Sequence, residues 1–279
     1  MTTASTARTF ETTLKINAPV DDVWTALTTA EGLENWFPLS ARVTPGKGGV
    51  LWTAWGETFA GEQRIEIWEP NRHLRTSWMD VPSDAAVSQP MESPGPMAVD
   101  YFLSPDGKNG TTLRLVHSGF GEGAAWDEMY DGISRGWPYE LASLRNYLEH
   151  HRGRMRRVSW VRGGIDSDTK FNEFMGPDYL NIRPAPATLK PGDACTMSLP
   201  CGGEAKGRVI QSNRTHFSMI IENLDHALFY ATIENCFGPR ELITWFATWT
   251  EPQQRVNEMR DGFIKSLGRL CGSERIATH

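Results

Sequence analysis

Cysteine is scarce in this chain and confined to its second half, at Cys195, Cys201, Cys236 and Cys271. The first two lack zinc-ligand spacing and have no matching Cys or His pair nearby, and no export leader precedes any of the four. They are expected to be reduced thiols, with neither a disulfide nor a metal between them. Apolar runs are short. None approaches the ~20 residues that span a bilayer, and Met1 to Arg8 has no apolar core, so no membrane insertion is expected and the cytoplasm is the expected address. Neither sign of charge dominates: 28 Lys and Arg oppose 34 Asp and Glu for a net charge of −6, which gives nucleic acid no global attraction. Catalytic signatures are missing too. With no Gly-x-Ser-x-Gly elbow, phosphate loop, dinucleotide fingerprint, His-Glu-x-x-His or paired carboxylates, no cofactor is expected, and chemistry would rest on cavity shape and one or two polar groups.

Tryptophan, by contrast, is abundant. Eight of the eleven, Trp24, Trp36, Trp52, Trp55, Trp68, Trp78, Trp126 and Trp137, fall in the first half of a 279-residue chain long enough for two domains. Leu14 and Ile16 alternate with polar neighbours as in a strand, and Pro19 with Asp21 and Asp22 marks the positive end of a helix. Val23, Trp24 and Leu27 recur at helical spacing. Gly32 is expected to break the run before a short second helix carrying Leu33, Trp36 and Phe37. A later stripe, Trp126, Met129, Tyr130, Ile133, Trp137, Leu141, Leu144 and Leu148, predicts a long helix ending near Glu149 and bent at Pro138, with Arg135 exposed beside the bend.

The Ala18-Pro19 entry leading to Val23-Trp24, Glu31-x-Leu33-x-x-Trp36-Phe37, Gly48-Gly49, Glu69-Pro70, His117-Ser-Gly-Phe120 and Gly136-Trp137 together resemble the SRPBCC superfamily, also called START or Bet v 1-like. Within it they resemble the branch related to the C-terminal domain of the activator of Hsp90 ATPase, over about residues 8 to 150. The resemblance implies an α+β helix-grip fold, a curved antiparallel sheet around a long C-terminal helix with a cavity between them. It implies no single activity, because the fold hosts lipid carriers, polyketide cyclases, hydrolases, resistance proteins and chaperone activators.

An internal repeat predicts a second copy. Gly61-Glu62-x-Arg64-x-x-Ile67-x-x-x-Asn71-Arg72 recurs 142 residues on as Gly203-Glu204-x-Lys206-x-x-Val209-x-x-x-Asn213-Arg214. Gly136-Trp137-x-x-x-Leu141-x-x-Leu144 recurs 126 residues on as Gly262-Phe263-x-x-x-Leu267-x-x-Leu270. The 16-residue difference matches the Pro-rich stretch Val81 to Pro96, which the second half lacks. Tandem domains are therefore expected at 1–152 and 153–279, with the basic run His150 to Arg157 a solvated linker and the second copy reduced. Its elements would be a helix from Ser167 to Met175, strands at Val158 to Val161, His216 to Ile221, Ala227 to Glu234 and Leu242 to Trp249, a turn at Phe237 to Arg240, and a helix from Pro252 to Leu270.

Aromatic rings suit a flat apolar guest. Trp36, Phe37, Trp52, Trp55, Phe59, Trp78 and Trp137 are candidate lining residues, with Leu113 and Leu115 from the sheet and Met129 and Ile133 from the helix. Alternation puts His117 on the face of Leu113 and Leu115, looking into the grip, where an imidazole can act as general acid or base or hydrogen-bond a ligand carbonyl. Tyr101, in phase with Val99 and Leu103, brings a hydroxyl to the same interior. These two are the catalytic candidates, and core packing is the competing account of both. Three classes of function follow. The first is binding of a hydrophobic, aromatic or polyketide-like small molecule; the second is a cofactor-free cyclase, dehydratase, hydrolase or self-resistance protein. The third is an Hsp90 co-chaperone, which the resemblance invites but which would be expected to carry a further N-terminal domain.

Overall fold

The computed structural model describes residues 8–56, 59–78, 96–234, 240–272, 274 and 276–278. The chain divides into two units, Met1–Arg152 and Gly153–His279. In the first, β1 (Arg8–Ile16) leads into α1 (Val20–Thr28) and α2 (Ala30–Glu34). Six further strands follow: β2 (Ser40–Val43), β3 (Val50–Trp55), β4 (Phe59–Glu69), β5 (His73–Trp78), β6 (Ala98–Asp106) and β7 (Gly110–Phe120). The unit closes with α3 (Ala124–Asn146) and a π-helical turn at Tyr147–His151. The sheet is antiparallel in the order β1-β7-β6-β5-β4-β3-β2. Period-two alternation turns Leu113, Leu115 and His117 of β7 inward, opposite Leu103, Tyr101 and Val99 of β6. All six are at most 7% exposed, and this is the face that meets the Trp137 ring of α3.

Gly32 does not break the helical run. It lies inside α2, and the break falls at Thr29, whose extended backbone ends α1 and whose hydroxyl caps α2 by accepting from the Gly32 N–H at 3.0 Å. A Cβ on Gly32 would sit 2.4 Å from the Thr25 carbonyl oxygen and 2.7 Å from Ala26 Cα, so glycine is there for the close approach of α1 and α2. The long helix runs through Gly136 and Pro138 for 23 residues. Arg135, expected at the surface, is largely buried, its side chain only 12% exposed and its Nε donating to Asp131 at 2.9 Å.

The second unit comprises β8 (Arg157–Gly164), α4 (Thr169–Met175), β9 (Ala194–Ser198), β10 (Glu204–Ser212), β11 (His216–Ile221), β12 (Ala227–Glu234), β13 (Glu241–Thr248), α5 (Gln253–Cys271) and β14 (Ile276–Thr278). Its sheet runs β14-β8-β13-β12-β11-β10-β9, so β8-β13-β12-β11-β10-β9 repeats the order β1-β7-β6-β5-β4-β3 of the first. The chain holds two tandem copies of one antiparallel topology, each followed by a long helix. Residues 79–97, which contain the Pro-rich stretch, join β5 to β6, whereas only 222–226 join β11 to β12. Most of that stretch, Cys236 and residues 237–239 of the expected turn lie outside the described residues.

Phe171, Phe174, Phe217, Phe229, Phe246 and Phe263 pack one continuous core in this unit, each at most 1% exposed, and Phe229 stacks on Phe263 at 5.7 Å. A groove of about 250 Å³ opens between Ile264, Lys265, Gly268 and Arg269 of α5 and Ile276 of β14. Arg156, expected in a solvated linker, is 8% exposed with its guanidinium 5.6 Å from the centre of the Trp245 ring. Cation–π contact and an apolar stem explain that burial. No helix among the described residues is long and apolar enough to cross a membrane.

Candidate functional site

A continuous belt of rings runs through the first unit between β-sheet and helix. Phe37, just after α2, stacks on Trp36 at 5.0 Å and on Trp137 of α3 at 5.8 Å, and meets Trp55 of β3 edge-on at 4.9 Å. Trp137 in turn meets Tyr101 at 6.3 Å and His117 at 6.0 Å, both near right angles. His117 stacks against Trp78 of β5 at 5.3 Å and 8°, and leans on Phe120 at 4.9 Å. Sheet alternation supplies Tyr101, His117, Trp55 and Trp78, and helical spacing supplies Trp137, which is why residues so far apart in the chain converge.

The belt has a packed part and an open rim. Trp36 is fully buried with its indole N–H donated to the Ala26 carbonyl at 2.9 Å, and Leu113, Leu115, Met129 and Trp137 are 5% exposed or less. Phe37, Trp55, Trp78 and Ile133 are half-buried. On α3, a Cβ at Gly136 would meet nothing within 4 Å. The Phe59 side chain lies outside the described residues. Trp52 is elsewhere: three residues from Trp55, it occupies the opposite face of β3, its ring 3.8 Å beneath the Arg42 guanidinium and away from the belt. Period-two geometry forbids the two tryptophans from sharing a face.

His117 Nδ1 accepts the indole N–H of Trp137 at 3.1 Å. Indole is a donor only, and a neutral imidazole carries one N–H, so the proton sits on Nε2. Burial pushes the imidazole pKa down to about 3, which keeps the ring neutral at physiological pH. Nε2 is buried and has no hydrogen-bond partner among the described residues. An unmade buried donor costs about 1–3 kcal/mol. With its lone pair engaged and its cation inaccessible, this histidine is suited to donate a hydrogen bond rather than to exchange protons.

The Tyr101 hydroxyl is held protonated, its pKa raised first by burial and then by the Glu140 carboxylate. Sequence reasoning did not name Glu140, and it named Phe120 and Tyr130, whose rings meet at 5.1 Å, only within a motif and a helix stripe rather than at the site. The signal for Glu140 was present, as a lone carboxylate three residues after Trp137 within the apolar stripe of α3. No three His, Cys, Asp or Glu side chains among the described residues group to hold a metal ion.

The profile of the activator of Hsp90 ATPase homolog 1-like protein family matches residues 17–149. The match spans most of the first unit and just under half of the chain, so the first unit is similar to that family. Among solved structures, protein MLL2253 from Mesorhizobium loti is 22% identical over 51% of this chain and 97% of its own, with a TM-score of 0.43. CalU16 from Micromonospora echinospora is 26% identical over 50% of this chain and 74% of its own, with a TM-score of 0.39. The di-domain ARO/CYC BexL from the BE-7585A biosynthetic pathway is 14% identical over 96% of this chain and 98% of its own, with a TM-score of 0.43. No curated protein matches the chain. The matched segment of this Hsp90-activator-like domain contains every residue of the belt, from Trp36 to Trp137.

Proposed function

We propose that the first unit binds a flat, apolar small molecule, aromatic or polyketide-like, against Phe37, Trp55, Trp78 and Trp137. The observation that carries this reading is the contrast between the repeated helix positions. A Cβ on Gly136, one residue before Trp137, meets open space, whereas a Cβ on its counterpart Gly262 would lie 2.7 Å from the Pro200 backbone. On this reading the first copy leaves room at this helix position, and the second closes the equivalent place with the Pro200 backbone.

A flat apolar fluorophore titrated into the full chain should quench tryptophan emission. Trp55→Ala removes one wall and should weaken binding about ten- to a hundredfold, since losing an aromatic contact costs about 1–3 kcal/mol. Trp52→Ala, on the other face of β3, should leave affinity unchanged. Equal effects of the two substitutions would sink the belt as the binding place. A second reading, cofactor-free turnover of such a molecule, is favoured by the two polar groups, Tyr101 and His117, that flank one indole. Native mass spectrometry of protein from its own host separates the two, because a carrier retains its ligand and a catalyst retains or releases a changed one.

A further inference from the structure

We infer that the belt selects flat ligands bearing a hydrogen-bond-accepting oxygen, an aryl ketone or quinone, over their hydrocarbon analogues, because the buried imidazole nitrogen beside Trp137 is a donor without an acceptor among the described residues and a phenol hydroxyl flanks the same indole. The inference rests on the binding reading above and names the chemistry of its ligand. On adjacent strands, Tyr101 pairs with Leu115 and Val99 with His117, so the two inward side chains stand one pair apart. Their rings meet the same indole at 78° and 73°. His117 is 2% exposed and Tyr101 7%. Nε2 of His117 has no partner among the described residues, and the Tyr101 hydroxyl lies within reach of the Glu140 charge. Trp137 decides the polarity of the site: by donating to Nδ1 it forces the remaining imidazole nitrogen to be a donor. The Tyr101 hydroxyl is held protonated, first by burial and then by the Glu140 charge, and so can donate as well. A carbonyl oxygen satisfies a donor that a hydrocarbon leaves unpaired, and a site built to hydrogen-bond rejects the analogue that lacks the group.

The test uses the full chain with 9-fluorenone and fluorene, which share one planar outline and differ in the carbonyl. Fluorenone should bind about tenfold tighter or more, and its bound carbonyl stretch should fall below its value in hydrocarbon solvent. Tyr101→Phe, which removes one oxygen, should reduce the preference and reverse part of the shift. His117→Gln keeps an acceptor for Trp137 and a donor for the ligand, so it should retain the preference that His117→Leu loses. Equal affinity with an unshifted stretch would overturn the inference while leaving the binding reading intact; so would a preference untouched by both Tyr101→Phe and His117→Leu. Failure of both compounds to bind would overturn the binding reading itself, and this inference with it. If the His117 variants do not fold, the carbonyl stretch on the unmodified protein decides the question.

Discussion

An imidazole with a folded pKa of about 3, against 6.5 for an unperturbed histidine, ties the stability of the first unit to pH. Because His117 is neutral in the fold and can protonate only once the chain opens, the unfolded state binds the extra proton below 6.5. The stabilisation is therefore complete above that value and is lost as pH falls towards about 3, by at most about 1.4 kcal/mol per pH unit. Urea denaturation at about pH 7, 5.5 and 4.5 should show this slope in the wild type and a shallower one in His117→Gln. Identical slopes would mean that His117 titrates in the folded protein. Alternation along β7 made the inward direction of His117 legible in the sequence. Its chemistry was not, since the partner that sets the tautomer, Trp137, comes from a helix twenty residues on and no local spacing reports that meeting. Trp52 shows the converse: its outward face was available from its odd separation from Trp55, and counting tryptophans alone concealed it.

Helical glycines carry three different meanings in this chain, which only packing distinguishes. Gly32 permits the close approach of two helices, Gly262 lets α5 approach Pro200, and Gly136 borders open space. The repeat that aligns Gly136 with Gly262 was legible as a pattern, but the reason for glycine differs between the copies. Gly136→Ala should stabilise α3 by about 0.5–1 kcal/mol, because alanine is the better helix former and nothing obstructs its methyl. Gly262→Ala should destabilise by about 1–3 kcal/mol, since a methyl 2.7 Å from the Pro200 backbone forces a shift. Thermal unfolding of the two variants checks both signs. If both stabilise, α5 does not pack tightly on Pro200. The shorter elements β9 and β14, of five and three residues, escaped sequence reading because so few alternations do not rise above chance.

At the scale of the whole molecule, duplication was legible because each copy must rebuild the same sheet around its own helix, so turn asparagines and helix stripes recur in register. The way each unit secures its ends was not legible, and it leads to the last prediction. In the first unit Arg8 pairs with Asp127 at 2.6 Å, so the start of β1 is fastened to the first turn of α3. At the other end Glu149 accepts from the Asn17 backbone N–H at 2.8 Å and Arg152 pairs with Asp22, which returns the π-helical turn to the entrance of α1. Exposed ion pairs contribute at most about 1 kcal/mol each. Apolar burial contributes more: Tyr147 and Leu148 are 8% and 5% exposed, and burying such side chains is worth about 1.5–3 kcal/mol apiece. We therefore expect residues 1–152 expressed alone to unfold cooperatively and to keep the fluorophore affinity of the full chain. Residues 1–146, which end with α3 and lack that turn, should be less stable by about 3 kcal/mol or more. A 1–152 fragment that melts without cooperativity would show that the first unit does not complete its own core, and equal stability of the two fragments would show that the turn contributes nothing to it.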